Sequence, residues 1–216
     1  MSDSVVDLQA LPLEYPGGVR LHESPTVWLF ENFASQEELA ALRDAAWEQL
    51  KPAEVSGDKV GYISSGRSGS NCWLAHNQSP LSLAVADRIS RLVRIPLANA
   101  ESFQVVHYGP GEEYRAHFDA WDADTERGKR CMERGGQRLV TTLLYLNHVE
   151  AGGATGFPKL ELKVHPVPGS LLLFHNCHPT TNLRHPSSLH GGLPVNVGEK
   201  WAANLWFRER RYQRSG

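Results

Sequence analysis

A jelly-roll barrel or β-sandwich with a helical front end is the fold class this sequence predicts, on three observations. Short β-type runs recur after residue 100: 102–108 (SFQVVHY), 138–146 (RLVTTLLYL), 162–167 (LKVHPV), 170–175 (SLLLFH) and 200–208 (KWAANLWFR). Gly and Pro punctuate them at Gly109-Pro110-Gly111, Gly152-Gly153, Pro168-Gly169, Gly191-Gly192 and Gly198. Many short strands with such turns suit a closed or double-sheet β fold. Helical periodicity, by contrast, is confined to the first hundred residues.

Taken in order, residues 1–26 carry Pro12, Pro16, Gly17, Gly18 and Pro25 and read as an irregular lead-in. Val27 to Phe30 predicts a strand. Ser35 followed by Glu38 has the spacing of a capping box, and Leu39, Leu42, Ala46 and Leu50 follow at helical intervals until Pro52. A second helix is expected from Ser79 or Pro80 to about Val93, with Leu83, Ala86, Ile89 and Val93 on one face. The Ser- and Gly-rich stretch SSGRSGSNCWL between them reads as a loop or weak hairpin, and 120–137 as a solvated, mobile loop. Residues 27–100 are thus a helical support for a β core at 101–212, all in one domain.

A chain of 216 residues, 41% apolar, has room for one sizeable core. Its formal charge of −2 gives no footing for a dedicated nucleic-acid binder. No run of about 18 apolar residues is present to cross a membrane, and the acidic N-terminus lacks the marks of a signal peptide. Cys72, Cys131 and Cys177 are odd in number and widely spaced, which suits reduced thiols in a cytoplasmic protein better than disulfides or zinc.

The strongest chemical signal is Tyr108-Gly-Pro-Gly-Glu-Glu-Tyr114-Arg-Ala-His117-Phe-Asp119. His117 and Asp119 are two apart, so on a strand both side chains leave from one face. An imidazole and a carboxylate together, joined by a second histidine, make the facial triad that leaves positions open for non-haem Fe(II) chemistry. His175, His178, His185 and His190 all lie in a suitable region. His190 is favoured because Lys200 lies ten residues beyond it, where an ammonium could meet the far carboxylate of a metal-bound 2-oxoacid.

Alternation along 200–208 puts Lys200, Ala202, Asn204, Trp206 and Arg208 on a polar face suited to a ligand cavity. Trp201, Ala203, Leu205 and Phe207 fall on a core face. Tyr108 shares its face with Val106 and Gln104, leaving His107 pointing away. Parity separates Arg138 from Tyr145, so a bulge, or a position at the barrel mouth, is needed to bring both to one cavity. His107, His148 and His165 read as surface or packing residues, Trp47, Trp73 and Trp201 as core, and Trp121 as either core or lid.

Four blocks in order, YGPGEEYRAHFD, RLVTTLLYLNHVEAGGATGFP, LKVHPVPGSLLLFHN and SLHGGLPVNVGEKWAANLW, resemble the prolyl 4-hydroxylase family of Fe(II)/2-oxoglutarate dioxygenases. The likeness extends over about residues 27–210. It implies a double-stranded β-helix (jelly-roll, cupin-like) core with N-terminal helical support. It implies iron ligation by His117, Asp119 and His190, and 2-oxoglutarate held by Lys200 and Tyr145 with Tyr108 lining the pocket. Tyr114, Arg138 and Trp206 resemble peptide-groove positions, and Arg67 sits on a loop that closes over substrate in relatives. The implied reaction is prolyl hydroxylation of a peptide or protein with release of succinate and CO2, with ascorbate as a candidate reductant. Such a peptide would lie between the 56–76 and 120–137 segments. Asp119 favours hydroxylation over halogenation, since halogenating relatives carry a small residue there. Asn204 and Leu193 depart from the Thr or Ser and the Cys common at those positions. The alternatives are hydroxylation of a free amino acid or non-prolyl side chain, a silent oxoacid-binding module, and a metal-dependent cupin with no oxoacid. The last would have no use for Lys200.

Overall fold

The computed structural model describes residues 5–53, 55–56, 61–62 and 66–213. It opens with strands β1 (Val19–His22) and β2 (Val27–Phe30), helix α1 (Gln36–Trp47), then β3 (Lys51–Pro52), β4 (Val55–Ser56), β5 (Gly61–Tyr62) and β6 (Ser70–Leu74). Helix α2 (Pro80–Val93) leads to β7 (Phe103–Tyr108), β8 (Tyr114–His117), the short helix α3 (Glu126–Met132) and β9 (Arg138–Tyr145). The chain closes with β10 (Ala151–Gly152), β11 (Thr155–Phe157), β12 (Leu162–Val164), β13 (Leu171–His175), β14 (His190–Gly192), β15 (Val195–Val197) and β16 (Lys200–Arg208).

Eight strands form a major sheet in the order β1-β2-β13-β9-β16-β7-β6-β3, and β12-β11-β14-β8 form a smaller one. The pairings within both are antiparallel, the mainly β jelly-roll arrangement that the strand pattern predicts. Between the sheets pack Tyr108, Leu143, Tyr145, Phe157, Val164, Leu172 and Phe174. On the outer face of the major sheet, α1 and α2 press Leu39, Leu42, Ala46, Val85, Ile89 and Val93 onto Phe103, Leu144, Trp201, Ala203, Leu205 and Phe207. The alternation read along 200–208 therefore holds: the odd positions lie under the helices, and Lys200, Ala202, Asn204 and Trp206 line the cavity.

Both helices start where their caps dictate. Ser35 Oγ accepts from the Glu38 backbone N–H at 3.3 Å while the Glu38 carboxylate accepts from Ser35 N–H at 2.9 Å. That carboxylate also receives Arg88 of α2 at 2.7 Å, which ties the two helices together. Ser79 and Ser82 cap α2 reciprocally, with Pro80 in the first turn. Leu83 is exposed and Val85 takes its place in the buried stripe.

Several expectations need correction. The lead-in is not irregular throughout: β1 is an edge strand paired with β2, Tyr15 is fully buried, and Val6 N–H donates to Glu209 O. The Ser/Gly-rich stretch ends in a real strand, β6, paired along its length with β7, while its first two residues, 64 and 65, lie outside the described residues. Within 120–137, α3 forms behind a Thr125 cap. The strand expected at 162–167 stops at Val164, since Pro166 and Pro168 cannot donate to a ladder. Trp201 is core as expected, but Trp47 (65% exposed) and Trp73 (48% exposed) are not. Trp47 stacks over Trp201 from outside, and Trp73 sits on the cavity side of β6. His148 and His165 are exposed, and His107 packs on Trp201 with Glu199 at 2.8 Å.

Candidate active site

A cavity of about 700 Å³ opens between the sheets. In the smaller sheet β14 pairs with β8 so that His190 lies directly across from His117. The strands approach so closely at Gly191 that a Cβ there would lie 2.7 Å from Tyr114 O, which no side chain tolerates. Asp119 follows β8 by two residues and its carboxylate meets both imidazoles: His117 Nε2 is 3.6 Å from Oδ1 and His190 Nε2 is 3.5 Å from Oδ2. The three candidate donor atoms lie within 4.8 Å of one another. His175, His178 and His185 are elsewhere. His175 Nε2 bonds the Tyr15 hydroxyl at 2.7 Å, and His178 and His185 pack ring to ring beyond it.

Hydrogen bonding sets the tautomers. His117 Nδ1 donates to Arg115 O and His190 Nδ1 to Ser188 O, each at 2.9 Å, because a carbonyl can only accept. In the neutral rings both Nε2 atoms then carry lone pairs, and these face carboxylate oxygens with no proton between. Burial pushes the His190 pKa down to about 4, so it is neutral near pH 7. Burial alone would raise the Asp119 pKa, but His190, His117 and Arg138 outweigh it and hold the carboxyl well below the ordinary range. Two imidazole lone pairs and one carboxylate aimed at a common point repel one another unless a cation lies between them. The donor set fits Fe(II).

Lys200, the first residue of β16, is 3% exposed and its Nζ looks into the same cavity, 5.6 Å from the Tyr145 ring. Burial lowers its pKa to about 8, and no carboxylate pairs with it among the described residues. Tyr145, opposite Ala202, is fully buried and donates to Thr155 Oγ1 at 2.8 Å; burial raises its pKa. Tyr108, the strand partner of Lys200, lies buried beside it, its pKa also raised by burial. A buried ammonium without an anion is costly, and the cavity offers it space for one.

Toward the mouth, Tyr114 stacks on His117 with ring centroids 3.7 Å apart, and the Arg67 guanidinium lies 4.6 Å over the Tyr114 ring. Arg67 also donates to Gln104 Oε1 at 3.3 Å, and Asn204 Nδ2 to the same oxygen at 3.4 Å. The bulge that parity demanded for Arg138 is present. β16 pairs Phe207 with Val140 but Arg208 with Arg138, so Leu139 is the extra residue and Arg138 swings to the cavity side. Its guanidinium lies 3.8 Å over Trp206 and forks onto Glu101 at 2.6 and 2.8 Å. Trp206 does more than present a wall: its indole N–H donates to Asp119 Oδ2 at 2.9 Å. Thr141 adds a second donor to that oxygen at 2.7 Å. Trp121, half-buried, takes Arg138 and Arg208 on its ring.

Trp73, expected in the core, and Gln104, Thr141 and Thr155, for which the sequence suggests no site role, also line or support the cavity. For Trp73 the signal was available: alternation along Cys72-Trp73-Leu74 sends Cys72 and Leu74 under the helices and Trp73 to the cavity, 5.8 Å from Trp206.

Glu101 is 2% exposed between two guanidiniums, Arg138 and Arg208, the latter with Nε 2.7 Å from Oε1 but out of line for a hydrogen bond. Among the described residues, Glu101→Gln leaves Arg208 buried without an anion in contact and Arg138 with only Asp119 Oδ1, 3.9 Å away. Breaking such a pair costs about 3–5 kcal/mol, and in a chain of this size the expected fall in Tm is about 6–20 °C. Calorimetric melting checks it.

A jelly-roll whose cavity gathers two histidines and an aspartate defines a non-haem iron oxygenase fold and site. Residues 103–208 match the model of the 2OG-Fe(II) oxygenase superfamily. A protein of Acanthamoeba polyphaga mimivirus bearing the prolyl 4-hydroxylase name is 41% identical over 68% of this chain and 60% of its own length. Prolyl 4-hydroxylase 2 of Arabidopsis thaliana is 31% identical over 87% of this chain and 68% of its own. The 2OG complex of the viral collagen prolyl hydroxylase of Paramecium bursaria Chlorella virus-1 superposes with a TM-score of 0.65 at 31% identity, covering 84% of this chain and 95% of that one. The chain belongs to the prolyl 4-hydroxylase family of 2OG-Fe(II) oxygenases.

Among the described residues no helix is long and apolar enough to cross a membrane.

Proposed function

We propose that this chain is an Fe(II)- and 2-oxoglutarate-dependent dioxygenase that hydroxylates prolyl residues of a peptide or protein. One observation carries the proposal: the grouped donors of His117, Asp119 and His190 share a cavity with the buried ammonium of Lys200, which has no carboxylate partner among the described residues. Iron bound there supplies, with O2 and 2-oxoglutarate, the oxidising chemistry that inserts oxygen into a C–H bond and releases succinate and CO2.

The chain's own residues do the rest. His117, Asp119 and His190 would hold the metal, their orientations set by Arg115 O, Ser188 O and the donors Thr141 and Trp206. Lys200 would take the distal carboxylate of 2-oxoglutarate, with Tyr145 and Tyr108 walling the same pocket. Tyr114, Trp206, Arg138 and Arg67 line the same cavity as the metal-binding residues and would bound the substrate, joined by Trp73. Aromatic walls suit a proline-rich chain, which is already extended and loses little entropy on binding. The three free thiols favour a cytoplasmic setting. The intact donor set and Lys200 argue against a silent module, and Lys200 against a cupin without an oxoacid.

Succinate release, with mass spectrometry of the products, tests the substrate. Proline-rich peptides should be hydroxylated and free amino acids should not. Efficient turnover of a free amino acid with inert peptides would replace the prolyl reading with the free-amino-acid alternative.

A further inference from the structure

We propose that Asn176 is a positioning residue for the candidate iron ligand Asp119, acting through the Thr141 hydroxyl. The inference rests on the iron-site reading above, but not on the identity of the substrate.

Asn176 follows β13 directly and is fully buried. Its backbone N–H donates to Leu139 O at 2.9 Å, which anchors it to β9. Its Nδ2 donates to Thr141 Oγ1 at 2.8 Å, and Thr141 Oγ1 in turn donates to Asp119 Oδ2 at 2.7 Å. A hydroxyl has one proton, so the direction of this chain matters. With the amide nitrogen against Thr141, the hydroxyl proton has nowhere to go but the carboxylate. With the amide reversed, Thr141 would donate to Asn176 and turn a lone pair on Asp119 at 2.7 Å. The carboxylate therefore selects the amide orientation, and the amide commits the hydroxyl.

The main chain of the same residue braces the segment that leads to His190. Asn176 O accepts from His185 N–H at 2.8 Å; the Ser188 hydroxyl, 3.3 Å away, has its nearer acceptor in His185 O at 2.8 Å, within the turn at Pro186–Ser188. Ser188 O then accepts from His190 Nδ1 at 2.9 Å, leaving Nε2 as the donor atom. Asn176 Oδ1 is buried with no hydrogen-bond partner among the described residues. An apolar residue would avoid that cost, so the amide is poor stability design. It is explicable if the Nδ2–Thr141–Asp119 link is what the position serves.

The test uses the 216-residue chain, metal-free, titrated with Co(II) alone and followed by its d–d absorption, with melting recorded for every variant. Outer-sphere partners typically contribute 10–100-fold to metal affinity. Thr141→Val, which keeps the shape and removes the hydroxyl, should weaken Co(II) binding by about that factor, and Thr141→Ser should restore it. Asn176→Ala should weaken binding in the same direction. The double variant should be no worse than Thr141→Val alone, because both act through one hydroxyl. Co(II) affinity unchanged in Thr141→Val, or unchanged in Asn176→Ala, overturns the proposal. Should Thr141→Val fail to fold, Asn176→Ala decides in its place, unchanged affinity again overturning it. If the wild-type chain binds no Co(II), the iron-site reading itself falls and takes this inference with it.

Discussion

Asp119→Ala and His190→Ala are each expected to abolish metal-dependent turnover, while His175→Ala and His178→Ala leave it in place. Each of the first two removes one of three donor atoms, so the loss should exceed the roughly 10–100-fold that follows removal of an outer-sphere partner. Asp119→Ala also strands the Thr141 hydroxyl and the Trp206 indole N–H, both of which end on its Oδ2. His175 has a different task, since its ring holds the Tyr15 hydroxyl and so the N-terminal segment. His175→Ala should lower Tm without changing metal affinity. Succinate formation alongside Co(II) titration separates the two classes. Activity surviving in His190→Ala but lost in His175→Ala or His178→Ala would show that the wrong histidine has been assigned to the metal.

Lys200→Ala is expected to raise the 2-oxoglutarate KM by a hundredfold or more. Removing one member of a buried ion pair typically costs about 3–5 kcal/mol because the other charge is left unpaired. Tyr145→Phe should raise KM less. The pH dependence follows from the depressed pKa. Without 2-oxoglutarate, burial sets Lys200 at about 8; a bound carboxylate stabilises the ammonium and raises that value. Below pH 8 the lysine is already charged and binding takes up no proton. Above it, binding must draw a proton from solution, so Kd should rise about tenfold per pH unit until the pKa of the complex is reached. Tyr108 and Tyr145, whose pKa values burial raises, do not titrate in that window. Titration of 2-oxoglutarate between pH 7 and 9.5 measures the slope, and Lys200→Arg, whose guanidinium keeps its proton, should flatten it. A slope equally steep in Lys200→Arg would assign the proton to another group.

What could be read before folding was of two kinds. Caps and alternation are short-range: Ser35 with Glu38 places α1, and period two along 200–208 assigns Lys200 and Trp206 to one face and Trp201 and Phe207 to the other. Ordered motif blocks, carried by family resemblance, brought His117, Asp119, His190 and Lys200 together although 83 residues separate the first from the last. Parity even stated the condition for Arg138, a bulge, without saying which residue would bulge; Leu139 does.

The sequence by itself thus determined the jelly-roll class, the helical support and the chemistry of the centre, because periodicity, capping and spaced ligand types are properties of neighbours along the chain. Tertiary structure alone decided the rest. Trp47 and Trp73 look like core residues as aromatics at helix and strand positions, yet one lies outside Trp201 and the other on the cavity side of β6. Trp206 resembles a peptide-groove position and is also a donor to Asp119. Asn176 carried no local signal at all. Its role arises only when β13 is laid against β9, since a hydrogen-bond network is set by directions in space between residues that the chain keeps far apart.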